Sequence, residues 1–174
     1  MTKIDYDLTK IKGIAFDVDG VLSPSTIPMG ADGVPMRMVN VKDGYAIQHA
    51  VKHGLRLAII SGAKTEAVEA RYHALGVQDL YMGSTVKLPV FEQWCAKHGL
   101  RADEVAFVGD DIPDLPVMRV AGLSVSPADA APEVKTEATF VSCIGGGHGV
   151  ARELIEQVMK AQGTWMDDVH AFGW

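Results

Sequence analysis

The chain has 174 residues, of which 48% are hydrophobic and 22% are charged, and its net charge is −6. This length and composition predict one globular domain over residues 1–174, with a core of its own. The negative charge, without a Lys/Arg cluster, argues against a nucleic-acid partner. The N-terminus lacks an apolar signal segment and no apolar run is long enough to span a membrane, so the default expectation is a cytoplasmic protein without a membrane partner.

Apolar strands alternate with amphipathic helices along the chain. The predicted strands are 11–16, 55–60, 79–82, 105–109, 123–126 and 139–142. The predicted helices are 44–53, 64–75, 86–98, 113–121, 130–135 and 148–162. Such alternation predicts an α/β fold, a doubly wound parallel sheet with helices on both faces.

Residues 23–42 interrupt this alternation. Thr26–Met29 and Pro35–Val41 resemble two strands joined by the turn at 30–33, which predicts a small β-hairpin insertion. The chain between Gly20 and Ser61 has room for this hairpin but not for a cap domain. The active site of a monomer is therefore expected to be open.

Two carboxylates, Asp17 and Asp19, follow the first predicted strand directly. In an open α/β sheet, ligands bind and chemistry occurs where the strands end. The first carboxylate there can attack phosphorus or hold a metal, and the second can carry a proton. Taken alone, the pair also fits one residue that caps the strand and one that lies in a turn.

Three further motifs follow in order: Ser61-Gly62 after the second strand, Lys87 at the start of a helix, and Asp110 after the fourth strand. Carboxylate oxygens suit Mg²⁺, and the serine hydroxyl and backbone N–H groups suit phosphoryl oxygens. The lysine can neutralise charge on a transferring phosphoryl group. Together these motifs predict a phosphate site that contains a divalent cation.

Asp111 and Asp114 complete the acidic cluster, and we expect them to support the metal site. An N-cap of the helix 115–121 is the structural alternative for Asp114. A lysine exposed on a helix surface is the alternative for Lys87.

With these motifs the chain resembles the phosphatases of the haloacid dehalogenase superfamily, and within it the capless group of 3-deoxy-D-manno-octulosonate 8-phosphate (KDO 8-phosphate) phosphatases. The closer resemblance lies in segments 40–45, 80–83 and 146–153. It implies Mg²⁺-dependent hydrolysis of a sugar-acid phosphate through an aspartyl-phosphate. It also implies a homotetramer, built through the hairpin, in which neighbouring subunits cover the active site.

The resemblance also implies a role for each matching residue. Catalysis falls to Asp17 as nucleophile and Asp19 as general acid and base. The metal ligands are Asp17, Asp19 through its backbone carbonyl, and Asp110; the phosphate ligands are Ser61, Gly62 and Lys87. The substrate-binding residues are Asp19, Asn40, Val41, Lys42, Asp43, Gly44, Gln48, Arg71 and Lys87.

Two positions depart from the group's pattern. Typical members have Arg where this chain has Ala63 and Gln48, and both positions are associated with substrate. Lys42, Lys64 and Arg71 are candidates to compensate. A phosphatase for a nine-carbon sugar-acid 9-phosphate is therefore an alternative. Two alternatives lie outside this enzyme class: a non-catalytic scaffolding relative and a phosphorylation-receiver module. In a receiver module the acidic pair precedes the phosphorylated Asp, whereas here Asp17 and Asp19 come first and Asp110 and Asp111 last, which disfavours that module.

Two features fall outside these motifs. His49 and His53 lie one helical turn apart without an evident third ligand, which favours a solvated helix face over a metal site. The tail after Gly163 carries Trp165, Phe172 and Trp174, and such apolar groups favour docking. The tail is expected to dock on its own domain or beside the active site of a neighbouring subunit.

Overall fold

The computed structural model of the protein describes residues 3–167 and 169–173. Six strands form one parallel sheet with the order β3-β2-β1-β4-β5-β6. The strands are β1 Gly13–Phe16, β2 Arg56–Ser61, β3 Asp79–Met82, β4 Val105–Val108, β5 Leu123–Ser126 and β6 Phe140–Val141. This topology confirms the predicted doubly wound sheet.

Six α-helices connect or flank the strands. They are α1 Val41–Lys52, α2 Glu66–Ala74, α3 Lys87–His98, α4 Leu115–Met118, α5 Pro132–Glu137 and α6 Val150–Ala161. Helices α1 and α6 pack together on one face of the sheet, and α3 and α4 pack together on the other. No helix in the described part of the chain has the length and apolar character needed to cross a membrane.

Strands β1 and β4 are buried along their whole length because helices cover both faces of the sheet. Successive side chains point to opposite faces, so Phe16 packs in the core layer of α1 and α6, while Phe107 packs in the layer of α3 and α4. The chain leaves β1 towards β2 and later returns on the other side of β1 to form β4. The crevice between the carboxyl ends of β1 and β4 is the switch point at which ligands bind in such sheets.

The hairpin in residues 23–42 is smaller than predicted. One antiparallel bridge joins Met29 to Pro35, and the Gly30 N–H donates to the Val34 carbonyl at 2.8 Å. Proline lacks the N–H that a longer ladder would need. The second predicted strand ends early because the Asn40 side chain accepts from two N–H groups of α1, which makes it the N-cap and starts α1 at Val41. No cap domain is present among the described residues.

The segment after α6 folds back onto its own chain. The Trp165 ring meets the Tyr45 ring edge-on at 6.0 Å and lies 4.5 Å from the Arg152 guanidinium carbon. The Tyr45 hydroxyl donates to the Ala171 carbonyl. Trp165 therefore packs on its own domain, the first of the two alternatives for the tail. Trp174 and the Phe172 side chain lie outside the described part of the chain.

Candidate active site

A pocket of about 470 Å³ lies at the carboxyl ends of the central strands. Every residue predicted for catalysis, metal binding, phosphate binding or support of the metal site lines it, namely Asp17, Asp19, Ser61, Gly62, Lys87, Asp110, Asp111 and Asp114. These residues come from four loops that are far apart in the sequence. They meet because the parallel strands all end at the same edge of the sheet.

The carboxylates of Asp17, Asp110 and Asp114 place oxygen atoms within 4.8 Å of one another. Their close approach depends on Gly20, where a Cβ atom would lie only 1.8 Å from Oδ2 of Asp110. An all-oxygen donor set suits Mg²⁺. The resemblance to the family assigns the ion to Asp17, Asp110 and the backbone carbonyl of Asp19. Asp114, which accepts hydrogen bonds from Lys87 and from the Asp110 N–H, then supports these ligands.

Burial is the main cause of the unusual ionisation of this cluster. It raises the pKa of Asp110 to about 8, with further contributions from the charges of Asp114, Asp17 and Asp111. Burial and Asp114 likewise raise the pKa of Asp17 to about 6, against the opposing effect of Lys87. A divalent cation beside these groups favours their ionised forms and lowers both pKa values. The raised pKa values of these carboxylates thus agree with a site whose oxygen ligands bind a cation.

Lys87 links the nucleophile position to Asp114. It is the first residue of α3 and is only 5% exposed, and its Nζ lies 2.8 Å from Oδ2 of Asp17 and 2.6 Å from Oδ1 of Asp114. Burial opposes the charged form, but the two carboxylates outweigh it and raise the pKa of Lys87. Lys87 therefore remains a cation in the pocket, and the surface alternative for this residue is wrong.

Asp114 orients its neighbours. Its Oδ2 accepts from the backbone N–H of Asp110 at 2.9 Å and of Asp111 at 3.3 Å, while its Oδ1 accepts from Lys87. It makes no side-chain hydrogen bond that caps α4. Asp114 thus occupies the N-cap position of α4, as the alternative predicted, but its side chain does not cap that helix. Its carboxylate fixes both the loop that carries Asp110 and the ammonium group of Lys87.

Ser61 ends β2 and is 1% exposed, and its Oγ accepts from the Ala63 N–H at 3.3 Å. Three further hydroxyl groups line the pocket, those of Ser25, Ser84 and Thr85. Sequence reasoning missed them. The pair 84–85 carried a usable signal, because hydroxyl residues just ahead of a helix start are well placed to meet an anion.

Arg37 is another residue that sequence reasoning missed. Its Nε lies 2.7 Å from Oδ1 of Asp19 and its Nη2 lies 2.8 Å from Oδ2, a bidentate pair. The Arg37 side chain is only 11% exposed. Such a pair holds a carboxylate in one orientation. No sequence signal pointed to it, because the contact depends on how the hairpin folds over the loop after β1.

The structure does not bring the predicted sugar-binding residues of α1 into this pocket. Asn40 caps α1 and donates to the Gly147 carbonyl at 3.2 Å. Asp43 is 2% exposed and accepts from the Arg152 N–H at 2.7 Å. Gln48 accepts from Lys52. Val41 and Lys42 are exposed, and Gly44 lies under the Arg71 guanidinium.

A second cavity of about 460 Å³ lies between the hairpin and α2 and is lined by Arg37 and Arg71. Arg37 also contacts Asp19 of the catalytic pocket, so the two cavities adjoin at this ion pair. The second cavity is thus a cationic region next to the catalytic carboxylates. Arg71 belongs to it rather than to the catalytic pocket.

Curated relatives extend over most of the chain. A family model of haloacid dehalogenase-like hydrolases matches residues 40–122. The 3-deoxy-D-manno-octulosonate 8-phosphate phosphatase of Salmonella typhi is 42% identical over 163 residues, which covers 94% of this chain and 85% of that protein. Its counterpart from Escherichia coli strain K12 is 42% identical over 153 residues, covering 88% of this chain and 81% of that protein.

Solved structures agree. The 3-deoxy-D-manno-octulosonate 8-phosphate phosphatase of Yersinia pestis matches with a TM-score of 0.87 at 37% identity, covering 91% of this chain and 85% of that one. The enzyme of Moraxella catarrhalis, in complex with magnesium, phosphate and KDO, matches with a TM-score of 0.89 at 30% identity over 96% of each chain. The chain therefore belongs to the haloacid dehalogenase-like hydrolases, in the family of the 3-deoxy-D-manno-octulosonate 8-phosphate phosphatases.

Proposed function

We propose that this protein is a Mg²⁺-dependent phosphatase that hydrolyses KDO 8-phosphate to KDO and inorganic phosphate, a step in lipopolysaccharide precursor synthesis. The observation that carries the proposal is the joining of Asp17, Lys87 and Asp110 in one pocket. The choice of substrate rests on the relatives, which are 42% identical to this chain and are named as phosphatases of this compound. A non-catalytic scaffold is disfavoured because the full catalytic set lines this pocket.

The reaction proceeds in two displacements at phosphorus. The Asp17 carboxylate attacks the phosphoryl group, the bond from phosphorus to the sugar oxygen breaks, and Asp19 gives that oxygen a proton. Asp19 then takes a proton from a water molecule, whose oxygen attacks the aspartyl-phosphate. Inorganic phosphate leaves, and Asp17 returns as a free carboxylate.

The surrounding residues bind the phosphoryl group. Ser61 offers its hydroxyl and Gly62 its backbone N–H to phosphoryl oxygens, and Lys87 provides a buried positive charge beside Asp17. Asp17, Asp110 and the Asp19 carbonyl would hold Mg²⁺, which would supply neutralisation of charge on the phosphoryl oxygens. Arg37 keeps the Asp19 carboxylate in one orientation for proton transfer.

The sugar acid needs a cationic partner for its carboxylate. Arg71 in the adjoining cavity provides such a partner, because an arginine pairs bidentately with a carboxylate. Val41 and Lys42 are exposed at the start of α1, where a neighbouring subunit can reach them. Their role in substrate binding, and that of Asn40, Asp43, Gly44 and Gln48, remains a prediction that depends on the oligomer.

The assembly is proposed to be a homotetramer formed through the hairpin. Large apolar side chains stand exposed there at unusual density, with Met29 64%, Val34 51%, Met36 55%, Met38 51%, Val39 47% and Val41 62% exposed. Contiguous exposed apolar surface of this kind marks an interaction site. A location in the cytoplasm, and one domain over residues 1–174, remain predictions.

A substrate comparison tests the proposal. Phosphate release is measured at saturating Mg²⁺ with KDO 8-phosphate and with a nine-carbon sugar-acid 9-phosphate. We expect the larger kcat/KM for KDO 8-phosphate. A clear preference for the nine-carbon compound would assign the protein to the alternative suggested by Ala63, and no release from either compound would reject the proposal.

A further inference from the structure

A second group of metal-binding side chains lies outside the catalytic pocket, where the tail meets α1. His49 and His53, one turn apart on α1, and Asp167 of the tail have ligand atoms within 4.8 Å of one another. His49 is only 3% exposed. The prediction of a solvated helix face without a third ligand is wrong, because the tail folds back over these histidines and brings Asp167 to them.

The contacts of His53 direct its Nε2 at a carboxylate oxygen. Its Nδ1 lies 2.9 Å from the His49 backbone carbonyl, an acceptor, so Nδ1 carries the ring hydrogen. Its Nε2 lies 3.0 Å from Oδ1 of Asp167. In a neutral ring this nitrogen would direct a lone pair at a carboxylate. A metal ion bound by both atoms accounts for this placement, and the experiments below separate it from a simple His–Asp pair.

The arrangement resembles a metal site in its supporting contacts. Histidine ligands commonly donate their other ring N–H to a carbonyl, which fixes the tautomer and points the free nitrogen at the metal. His53 does this through His49. The His49 ring is itself held by the Tyr45 ring, stacked at 5.6 Å, and by the edge-on Trp165 ring at 5.4 Å. Packing thus restricts both imidazoles before any ion binds.

We propose that His49, His53 and Asp167 bind a Zn²⁺ ion that fastens the tail to α1. Two imidazole nitrogens and one carboxylate oxygen suit Zn²⁺, which accepts water as its fourth ligand. The Asp167 side chain is 35% exposed, which gives an ion and its water access from solvent. Mg²⁺ prefers oxygen ligands, so the catalytic pocket and this site select different ions.

The site would close a long loop of the chain. His53 and Asp167 are 114 positions apart in the sequence, and they belong to the first α-helix and the tail. An ion that binds both stabilises the folded form of the tail, by a free energy that grows with the logarithm of its concentration relative to its Kd. Zn²⁺ should therefore protect the tail from local unfolding while the catalytic pocket holds Mg²⁺.

Calorimetric titration with ZnCl₂, in excess Mg²⁺ to fill the catalytic pocket, tests the site. We expect one Zn²⁺ per chain in the wild type and an affinity lower by about tenfold or more in His53→Gln and in Asp167→Asn. His73→Gln changes an exposed histidine of α2 and should bind as the wild type does.

Limited proteolysis supplies a second readout that a structural His–Asp pair would not give. Zn²⁺ should slow cleavage after Gly163 in the wild type and not in Asp167→Asn. Equal Zn²⁺ affinity in the wild type and both variants, or no Zn²⁺ binding by the wild type, would overturn the proposal and leave His53 and Asp167 as a structural pair. Zn²⁺ binding that His53→Gln keeps but Asp110→Asn loses would assign the ion to the catalytic pocket and also overturn it.

Discussion

At the scale of single residues, the surroundings give two similar aspartates different tasks. Asp17 is buried against the ammonium group of Lys87, whereas Asp19 is paired with Arg37 on the hairpin. The first is held beside a buried cation, as the proposed nucleophile requires. The second is held by a group that belongs to a separate element. The positions of Asp17 and Asp19 could be predicted from the strand end that they follow, but the Arg37 pair could not.

Arg37→Lys should lower kcat more than it changes KM. Lysine keeps the positive charge but loses the fork that fixes both oxygens of Asp19, so proton transfer loses its orientation. We expect kcat to fall about tenfold, less than the roughly 100-fold or more that a positioned acid–base group contributes, because Asp19 itself is retained. Arg119→Lys alters an exposed bidentate pair with Glu137 and is the control. If Arg37→Lys behaved like this control, Arg37 would have no role in positioning Asp19.

Gly20→Ala should weaken Mg²⁺ binding. The new Cβ would lie 1.8 Å from Oδ2 of Asp110, and the backbone φ of +80° is itself unfavourable for alanine. Gly33→Ala is a matched control, because its φ is +79° and nothing lies within 4 Å of its added Cβ. The Mg²⁺ concentration for half-maximal activity should rise about tenfold in Gly20→Ala alone, the size of effect seen when support of a metal ligand is lost. An equal response in both variants would refute this.

At the scale of elements, a side chain of helix α1 accepts a hydrogen bond from the first turn of helix α6. Its N-cap Gly149 has no side chain to accept from the first turn, and Asp43 of α1 accepts from the Arg152 N–H instead. Burial raises the pKa of Asp43 to about 6. The sequence match identified Asp43 as a substrate residue because the motif alone does not reveal what packs against α1.

Asp43→Asn should change how stability depends on pH. Because the folded pKa is above the unfolded value of about 3.9, the native state binds more protons between these values. Stability contributed by this group therefore falls as pH rises from about 4 to about 6, by on the order of 3 kcal/mol. Asparagine keeps an acceptor for the Arg152 N–H and does not ionise. The melting temperature of the variant, relative to that of the wild type, should therefore be higher at neutral pH than near pH 4. Parallel melting curves for the two proteins would contradict the prediction.

The core elements were predictable and the hairpin was less so, for a physical reason. Strands that are buried on both faces appear in the sequence as continuous apolar runs. Because helices alternate with these strands, a parallel sheet is the expected arrangement. The hairpin and tail lack this constraint, because their conformation depends on contacts with distant residues such as Asp19 and His53. The position of Trp165 likewise depends on residues far away in the sequence, the Tyr45 and His49 rings of α1.

At the scale of the whole molecule, the exposed apolar hairpin predicts the oligomer. Met29→Glu with Val34→Glu places charges on the hairpin on either side of its turn, away from the catalytic carboxylates in the sequence. Burying these charges in an interface is costly. Light scattering should therefore give a tetramer for the wild type and a smaller species for the double variant. A double variant that assembled as the wild type does, or a wild-type monomer, would exclude the hairpin as the interface.

The matched control for this test is Val120→Glu, which changes an apolar residue of similar exposure outside the hairpin. It should leave the assembly intact. If neighbouring subunits complete the active site, the hairpin variant should also have a raised KM for KDO 8-phosphate.

Asp17 is the proposed nucleophile in the Mg²⁺-dependent hydrolysis of KDO 8-phosphate. The most direct measurement is inorganic phosphate released from KDO 8-phosphate by the wild type and by Asp17→Asn, each with Mg²⁺ and after chelation of the metal. Asparagine nearly preserves the side-chain volume but cannot form the aspartyl-phosphate, so the variant should melt as a folded protein and release no phosphate. Chelation should stop the wild type. Turnover by Asp17→Asn within about tenfold of the wild type, or activity that persists in the chelator, would contradict the account.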